Sequence, residues 1–318
     1  MLSVIAVLAA AVLFGTTGTA QALGPDGTTP LAVGVVRMVL GGTGLALLAF
    51  TLGTAHRRRR AGSAPPASTK VRTDRPRFGI RPLLLMTLTG VCLAVYQPLF
   101  FLGTARNGVA VSTVIALGSA PVLAGLLEWA LTRRPPTPTW VGATALATVG
   151  VVLLGIGGGG TAGGTDPVGV AAAIGAGASF AVIANAQRRL LDAGWDAFTV
   201  VGAMGASSAL VSALALPFVD ISWLDDARGV AMALWLGLTT IAVAYVLFTW
   251  GLQGLSAATA ATLTLAEPLT AALLGILVLG EHLSPLAVAG LLVLAAGLTL
   301  LAWGSRRPRD PAPYAVEA

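Results

Sequence analysis

From Leu2 to Gly304 long apolar runs alternate with short polar breaks, and that alternation predicts a series of membrane-crossing helices. The first run extends from Leu2 to about Ala20. Others follow at roughly 30–52, 83–105, 109–132, 137–157, 167–189, 196–218, 229–252, 256–279 and 284–304. Each is near the roughly 20 residues that a helix needs to cross a bilayer. The pattern therefore predicts an all-α integral membrane protein with about ten transmembrane helices. Gly24 to Pro30, GPDGTTP, marks the first turn. The TAQA of Thr19 to Ala22 imitates a signal-peptide cleavage site, but no Lys or Arg precedes Arg37. The basic region of a signal peptide is missing, so the first run reads as a membrane helix, with a retained signal peptide as the alternative.

One span differs from the rest. Ser256 to Glu281 reads SAATAATLTLAEPLTAALLGILVLGE, and its only strong charge before the end is Glu267, followed directly by Pro268. Proline has no N–H, so the helix is expected to lose its bond to the Thr264 carbonyl and kink there. A carboxylate at mid-membrane depth is costly unless it has a partner or touches water. Val111 to Leu131, VSTVIALGSAPVLAGLLEWAL, is a weaker twin with Pro121 in place of Pro268. Interrupted apolar segments at matching positions in two halves point to a transporter's binding site. Aligning the two prolines sets Ala110 against Ala257, Ser112 against Thr259 and Arg134 against Glu281. Tyr96 and Tyr245 fall two residues out of register.

Each half then has about five spans, an odd number, so the second half enters the membrane from the opposite side. The expected organisation is two inverted five-helix repeats, residues 1–157 and 166–304. A Gly-rich linker at 158–165 joins them, and a tail follows at 305–318. His56 to Arg81 is too rich in Pro, Ser and Arg to build a core and is expected to be a disordered loop.

Charge placement then gives the orientation. With the N-terminus in the cytoplasm, sixteen of the 19 Lys and Arg fall in inside loops, including Arg133, Arg134, Arg188 and Arg189. Only Arg106 and Arg228 fall outside, and Arg37 lies within a span. Asp26, Asp166, Asp220, Asp225, Asp226 and Glu281 fall outside. The positive-inside rule thus places both termini and the 56–81 loop in the cytoplasm of a bacterial-type plasma membrane.

Composition narrows the function classes. Only 10% of residues are charged and 56% are hydrophobic, against about 25% charged in a soluble domain. The net charge of +6 does not imply nucleic acid, because the arginines are placed to orient a membrane protein. Cys92 is the sole cysteine, which excludes an intramolecular disulfide and a Cys-based zinc cluster. Neither a Walker A sequence nor H-E-x-x-H occurs, so direct ATP use and that form of metal hydrolysis are not indicated. A membrane-embedded protease needs a nucleophile with a base, or paired aspartates, inside the membrane. No G-x-S-x-G occurs, no Asp lies deep within a span, and His56 and His282 sit in loops. GIGGGG, Gly155 to Gly160, fits G-x-G-x-x-G but lacks the βαβ context that gives the pattern meaning. No cofactor is expected.

The quoted residues, taken with FGTTG (Phe14 to Gly18), PLAVGVVR (Pro30 to Arg37) and YQPLFFLGTA (from Tyr96), resemble the EamA-like branch of the drug/metabolite transporter superfamily. Ala266 to Gly290, AEPLTAALLGILVLGEHLSPLAVAG, is the strongest match. Two departures are visible: Arg134 replaces an acidic residue, and the second half has Ala197 and Met204 near where Pro and Arg are expected. The resemblance implies a ten-helix exporter of small metabolites or drugs.

On these residues the leading expectation is a secondary transporter working by alternating access. Its partners are a small-molecule substrate (amino acid, metabolite or drug), the lipid bilayer, and protons as a coupling ion. Glu267 is the expected substrate-amine or proton site, set against a purely structural carboxylate. Arg37, roughly 10 Å below the outer surface at 1.5 Å per residue, either attracts an anion and pairs with Glu267 or snorkels to the interface. Tyr96, Tyr245, Pro121, Pro268 and Thr264 complete the expected path. Trp250 reads better as an interfacial anchor. Glu128 is expected to pair with Arg133 and Arg134, as a structural ion pair or inner gate. A receptor or scaffold is the competing class, and an intramembrane enzyme a more distant one.

Overall fold

A computed structural model describes residues 1–62, 79–157 and 166–305. The expected linker at 158–165, positions 63–78 of the expected loop and the tail from 306 onward lie outside the described residues. In chain order the helices are α1 (Leu2–Gly15), α2 (Thr17–Ala22), α3 (Pro30–Gly62), α4 (Ile80–Asn107), α5 (Val109–Thr132) and α6 (Pro138–Gly157). They continue with α7 (Pro167–Asp192), α8 (Ala197–Ala213), α9 (Ala227–Leu234), a π-helical segment (Trp235–Val243), α10 (Ala244–Leu252), α11 (Ala257–Leu263), α12 (Ala266–Leu279) and α13 (Pro285–Gly304). Among the described residues, ten helical stretches are long and apolar enough to cross a membrane. The first combines α1 with α2, the eighth combines α9 with the π segment and α10, and the ninth combines α11 with α12. No strand occurs among the described residues.

Local sequence explains where several spans begin. Thr29–Pro30, Thr137–Pro138, Asp166–Pro167 and Ser284–Pro285 each pair a capping oxygen with a proline. Thr29 Oγ1 accepts from Ala32 N at 3.2 Å, Thr137 Oγ1 from Trp140 N at 3.2 Å, Asp166 Oδ1 from Val168 N at 2.7 Å and Ser284 Oγ from Ala287 N at 3.2 Å. The cap satisfies an otherwise orphaned N–H, and proline contributes a fixed φ where its missing donor is not needed. Gly108, at φ +79°, is the single residue between α4 and α5.

One expected boundary is wrong. α3 continues as a helix to Gly62, so the first residues of the expected 56–81 loop are helical. The span itself, Pro30–Ala55, ends just before the arginine run.

Between apolar helices in lipid, small residues decide which pairs approach closely. A Cβ on Gly150 would lie 2.5 Å from Leu294 N, and one on Gly297 would lie 2.7 Å from Ala147 N. α6 and α13 therefore touch backbone to backbone. α3 and α8 do the same, since a Cβ on Gly42 would meet the Gly205 carbonyl at 2.6 Å. Elsewhere α4 packs on α7 and α8, the eighth span on α1 and α3, α5 on α7, and α1 on α11 and α12. Exchanging each span for the one five places along turns this set of pairings into itself. Large side chains such as Phe50, Leu210, Leu277 and Trp303 point outward, as a lipid-facing surface requires. At one end Arg106 pairs with Asp166 at 2.8 Å, and this bond holds the Asp166 carboxyl below the usual carboxylate range.

Candidate functional site

Two interrupted spans meet in the middle of the fold. In the first, α1 ends at Gly15 and α2 starts at Thr17. The Thr16 hydroxyl donates to the Leu13 carbonyl at 2.7 Å and accepts from Trp235 Nε1 at 3.0 Å. In the ninth, α11 ends at Leu263 and α12 starts at Ala266. α1 packs on both halves of that ninth span. A Cβ on Gly15 would lie 2.7 Å from the Glu267 carbonyl, so the two breaks touch.

The details depart from the sequence expectation in two ways. The ninth span breaks before Pro268, which is the third residue of α12, in the first turn where an N–H is dispensable. The Thr264 carbonyl that Pro268 cannot use is taken by Glu267 N at 2.9 Å. Leu265 N likewise bonds Thr262 O at 3.1 Å, which tightens the chain to an i→i−3 pattern. The Thr264 hydroxyl donates to the Ala261 carbonyl at 2.7 Å. Pro121, buried in α5, interrupts nothing: α5 is a continuous helix from Val109 to Thr132. The proline-broken twin is therefore not matched in the first half, whose break lies instead in the first span.

Four ionisable side chains converge beside these breaks. Arg37 comes from α3, Tyr96 from α4, Tyr245 from α10 and Glu267 from the first turn of α12. Every pair among them lies within electrostatic range. Arg37 is only 8% exposed, which rules out snorkelling to the interface. Its Nη2 donates to Thr17 Oγ1 at 3.3 Å, and its Nε is buried with no hydrogen-bond partner among the described residues. A buried donor left unpaired is costly, and such groups call for an explanation. Arg37 and Glu267 influence each other without forming a direct ion pair among the described residues.

The tyrosines are held by aromatic packing. Tyr245, 5% exposed, lies edge-on to Phe14 of α1 at 5.3 Å and to Phe248 at 6.1 Å. Tyr96 stacks on Phe100 at 6.2 Å. Trp250 is 43% exposed at the end of α10, in keeping with an outward-facing anchor. Chemically, the cluster offers one cation, one carboxylate and two phenols within a buried region. No group of three or more His, Cys, Asp or Glu suited to a metal occurs among the described residues.

Glu128 behaves differently from expectation. It forms no ion pair with Arg133 or Arg134 among the described residues. Its Oε2 instead accepts from Ala258 N, at 2.7 Å, at the start of α11. Helical geometry carries Arg133 and Arg134 away from it, because α5 ends there with Arg133 in the left-handed conformation, φ 57°. The sequence reading also treated Arg188 as a loop charge. It is in fact 4% exposed, pairs with Asp192 at 2.6 Å, and donates through Nη1 to the carbonyls of Leu252, Gln253 and Leu255. The i,i+4 spacing of Arg188 and Asp192 was a readable signal for the pair. Thr17 was also missed as a partner for Arg37, although it stands inside the quoted FGTTG run.

Ten apolar spans among the described residues, with an ionisable cluster where two interrupted helices meet, make this a polytopic membrane protein. The chain belongs to the EamA-like transporter family, whose profile matches residues 1–156 and 167–303. It is 38% identical, over 95% of its own length and 94% of the relative's, to the "Uncharacterized transporter YwfM" of Bacillus subtilis (strain 168). A solved crystal structure at 18% identity matches with a TM-score of 0.73, covering 94% of this chain and 98% of the other. That likeness shows the fold alone.

Proposed function

We propose that the protein is a secondary active transporter, not an enzyme, that exports a small metabolite or drug across the plasma membrane by alternating access. The substrate site lies between two inverted halves, and both termini are cytoplasmic. The observation that carries this reading is the convergence of Arg37 and Tyr96 from the first half with Tyr245 and Glu267 from the second. A site lined by both halves changes its exposure whenever the halves rock against each other. The interchange of helix pairings between the halves supports two related units, as do the two stretches matched by one family. With five spans in each, the second unit in this reading enters the membrane from the side opposite to the first.

Glu267 is the coupling residue in this reading, because a carboxylate that is neutral when dry and charged when wet biases two accessibilities. Arg37 presents a donor to an anionic group of the substrate, and the tyrosines line the path. The test is flux into liposomes holding the purified protein, with and without an imposed pH gradient. If Glu267 couples protons, Glu267→Gln loses gradient-driven accumulation while keeping substrate exchange. If it only holds a cationic substrate, exchange and driven flux fall together. Normal transport by Glu267→Gln at every pH shows a structural residue and overturns the assignment. Absence of flux with every substrate class tried favours a receptor or scaffold.

A further inference from the structure

We propose that α11 is the gate on the Glu128 side of the protein and that Glu128 is the latch holding it shut, an inference that rests on the alternating-access reading. α11 is 7 residues long, and all but Thr259 are buried. It runs from the turn after α10 to the break that carries Glu267, roughly 10 Å at 1.5 Å per residue. It therefore lies along the ninth span between the end bearing Arg133 and the ionisable cluster.

Two sets of polar contacts hold α11, and both come from the first half. At its start, Glu128 Oε2 on α5 accepts from Ala258 N at 2.7 Å, across 130 positions of chain. At its far end, Trp140 Nε1 and the Thr144 hydroxyl on α6 meet Thr262 Oγ1 at 3.1 and 3.0 Å. Between these ties Ala261 packs with Ala124 of α5 across the halves and with Ala181 of α7 in its own half, with Leu123 and Phe180 at the edge of the cluster. The facing alanines Ala261 and Ala124 have no rotamers to interlock, so at that contact the polar ties are what fix α11 to the first half. Of these, the carboxylate bond is charge-assisted and the strongest per contact.

The helix keeps its own cap when the latch opens. Ser256 Oγ accepts from Thr259 N at 3.2 Å within the second half, so α11 can move as a formed helix. Once parted, both the Glu128 carboxylate and the first N–H groups of α11 reach water. Arg188 holds the turn before α11 to α7 in the same half, which keeps the hinge with the second unit.

The test uses the full chain with Cys92→Ser and a reporter cysteine, Ala261→Cys, in vesicles of each orientation. An impermeant thiol reagent reads the reporter from either face. Adding Glu128→Ala should speed modification from the face bearing Arg133 by about ten- to a hundredfold, the scale of one hydrogen bond to a charged group, with no gain from the other face. Glu128→Gln, which can still accept from Ala258 N but lacks the charge, should fall between the unmutated rate and that of Glu128→Ala. Ala124→Cys on the facing helix serves as second reporter if Ala261→Cys does not fold. No acceleration overturns the latch, and equal acceleration from both faces overturns it too, since that marks loosened packing. One-sided acceleration without substrate flux leaves the gate standing and removes the transport reading. Normal flux without acceleration removes the gate alone.

Discussion

Replacing Arg188 with methionine tests whether its buried cation organises the turn between α10 and α11. The guanidinium is 4% exposed and makes two contacts with Asp192, at 3.1 Å through Nε and 2.6 Å through Nη2. Its remaining donor serves the Gln253 and Leu255 carbonyls, at 3.2 and 3.0 Å, and that of Leu252. Methionine keeps much of the volume but leaves the carboxylate and the helix-end carbonyls without their donor. Removing one member of a buried pair costs about 3–5 kcal/mol, because the partner stays behind desolvated. At roughly 2 °C per kcal/mol, the lower end for large domains, that lowers Tm by about 6–10 °C. Arg188→Lys should fall between, since an ammonium is a point charge and cannot reach a carboxylate and three carbonyls at once. Thermal unfolding of the detergent-purified protein reads all three. A change below about 1 kcal/mol in Arg188→Met, within the range of ordinary surface substitutions, would refute the claim that these bonds organise the turn.

Three further outcomes follow from the same geometry. Arg37→Ala and Glu267→Ala should each impair transport, with the double variant no worse than the worse single, because the two groups lie within electrostatic range; strictly additive losses in liposome flux would separate their roles. In a Cys92→Ser background, cysteines at positions 65 and 315 should resist an impermeant thiol reagent applied to intact cells, while Asp26→Cys should react; labelling of the first two from outside overturns the orientation. Gly150→Ala should destabilise the α6–α13 contact by about 1–3 kcal/mol, the usual cost of overpacking, since the added Cβ would meet Leu294 backbone at 2.5 Å; an unchanged Tm would show that the helices can slide apart.

The sequence by itself determined the ten spans and several of their starts. Lipid offers no hydrogen bonds, so an apolar run of bilayer length has to be a helix whatever surrounds it. The capping residue followed by proline at Thr29–Pro30, Thr137–Pro138, Asp166–Pro167 and Ser284–Pro285 fixes starts through purely local bonds. Glu267 and Arg37 were also legible, because an ionisable side chain inside an apolar run stands out without any knowledge of its partners.

Tertiary structure alone decided what those side chains meet. Pro121 and Pro268 look alike in sequence, yet one sits inside a continuous helix and the other follows a break stabilised by packing against α1. Glu128 has two arginines within six residues, but its carboxylate reaches an N–H that is 130 positions away. Arg188 resembles its neighbour Arg189 in the sequence and differs only in pointing at carbonyls 64 to 67 positions along. In water, a helix with one apolar face announces which side is buried. In a membrane, the lipid-facing and protein-facing sides are both apolar, so the pattern carries no such signal. Helix pairing is then left to close approach at glycine and alanine and to a few distant polar partners, and neither is written in any local stretch of chain.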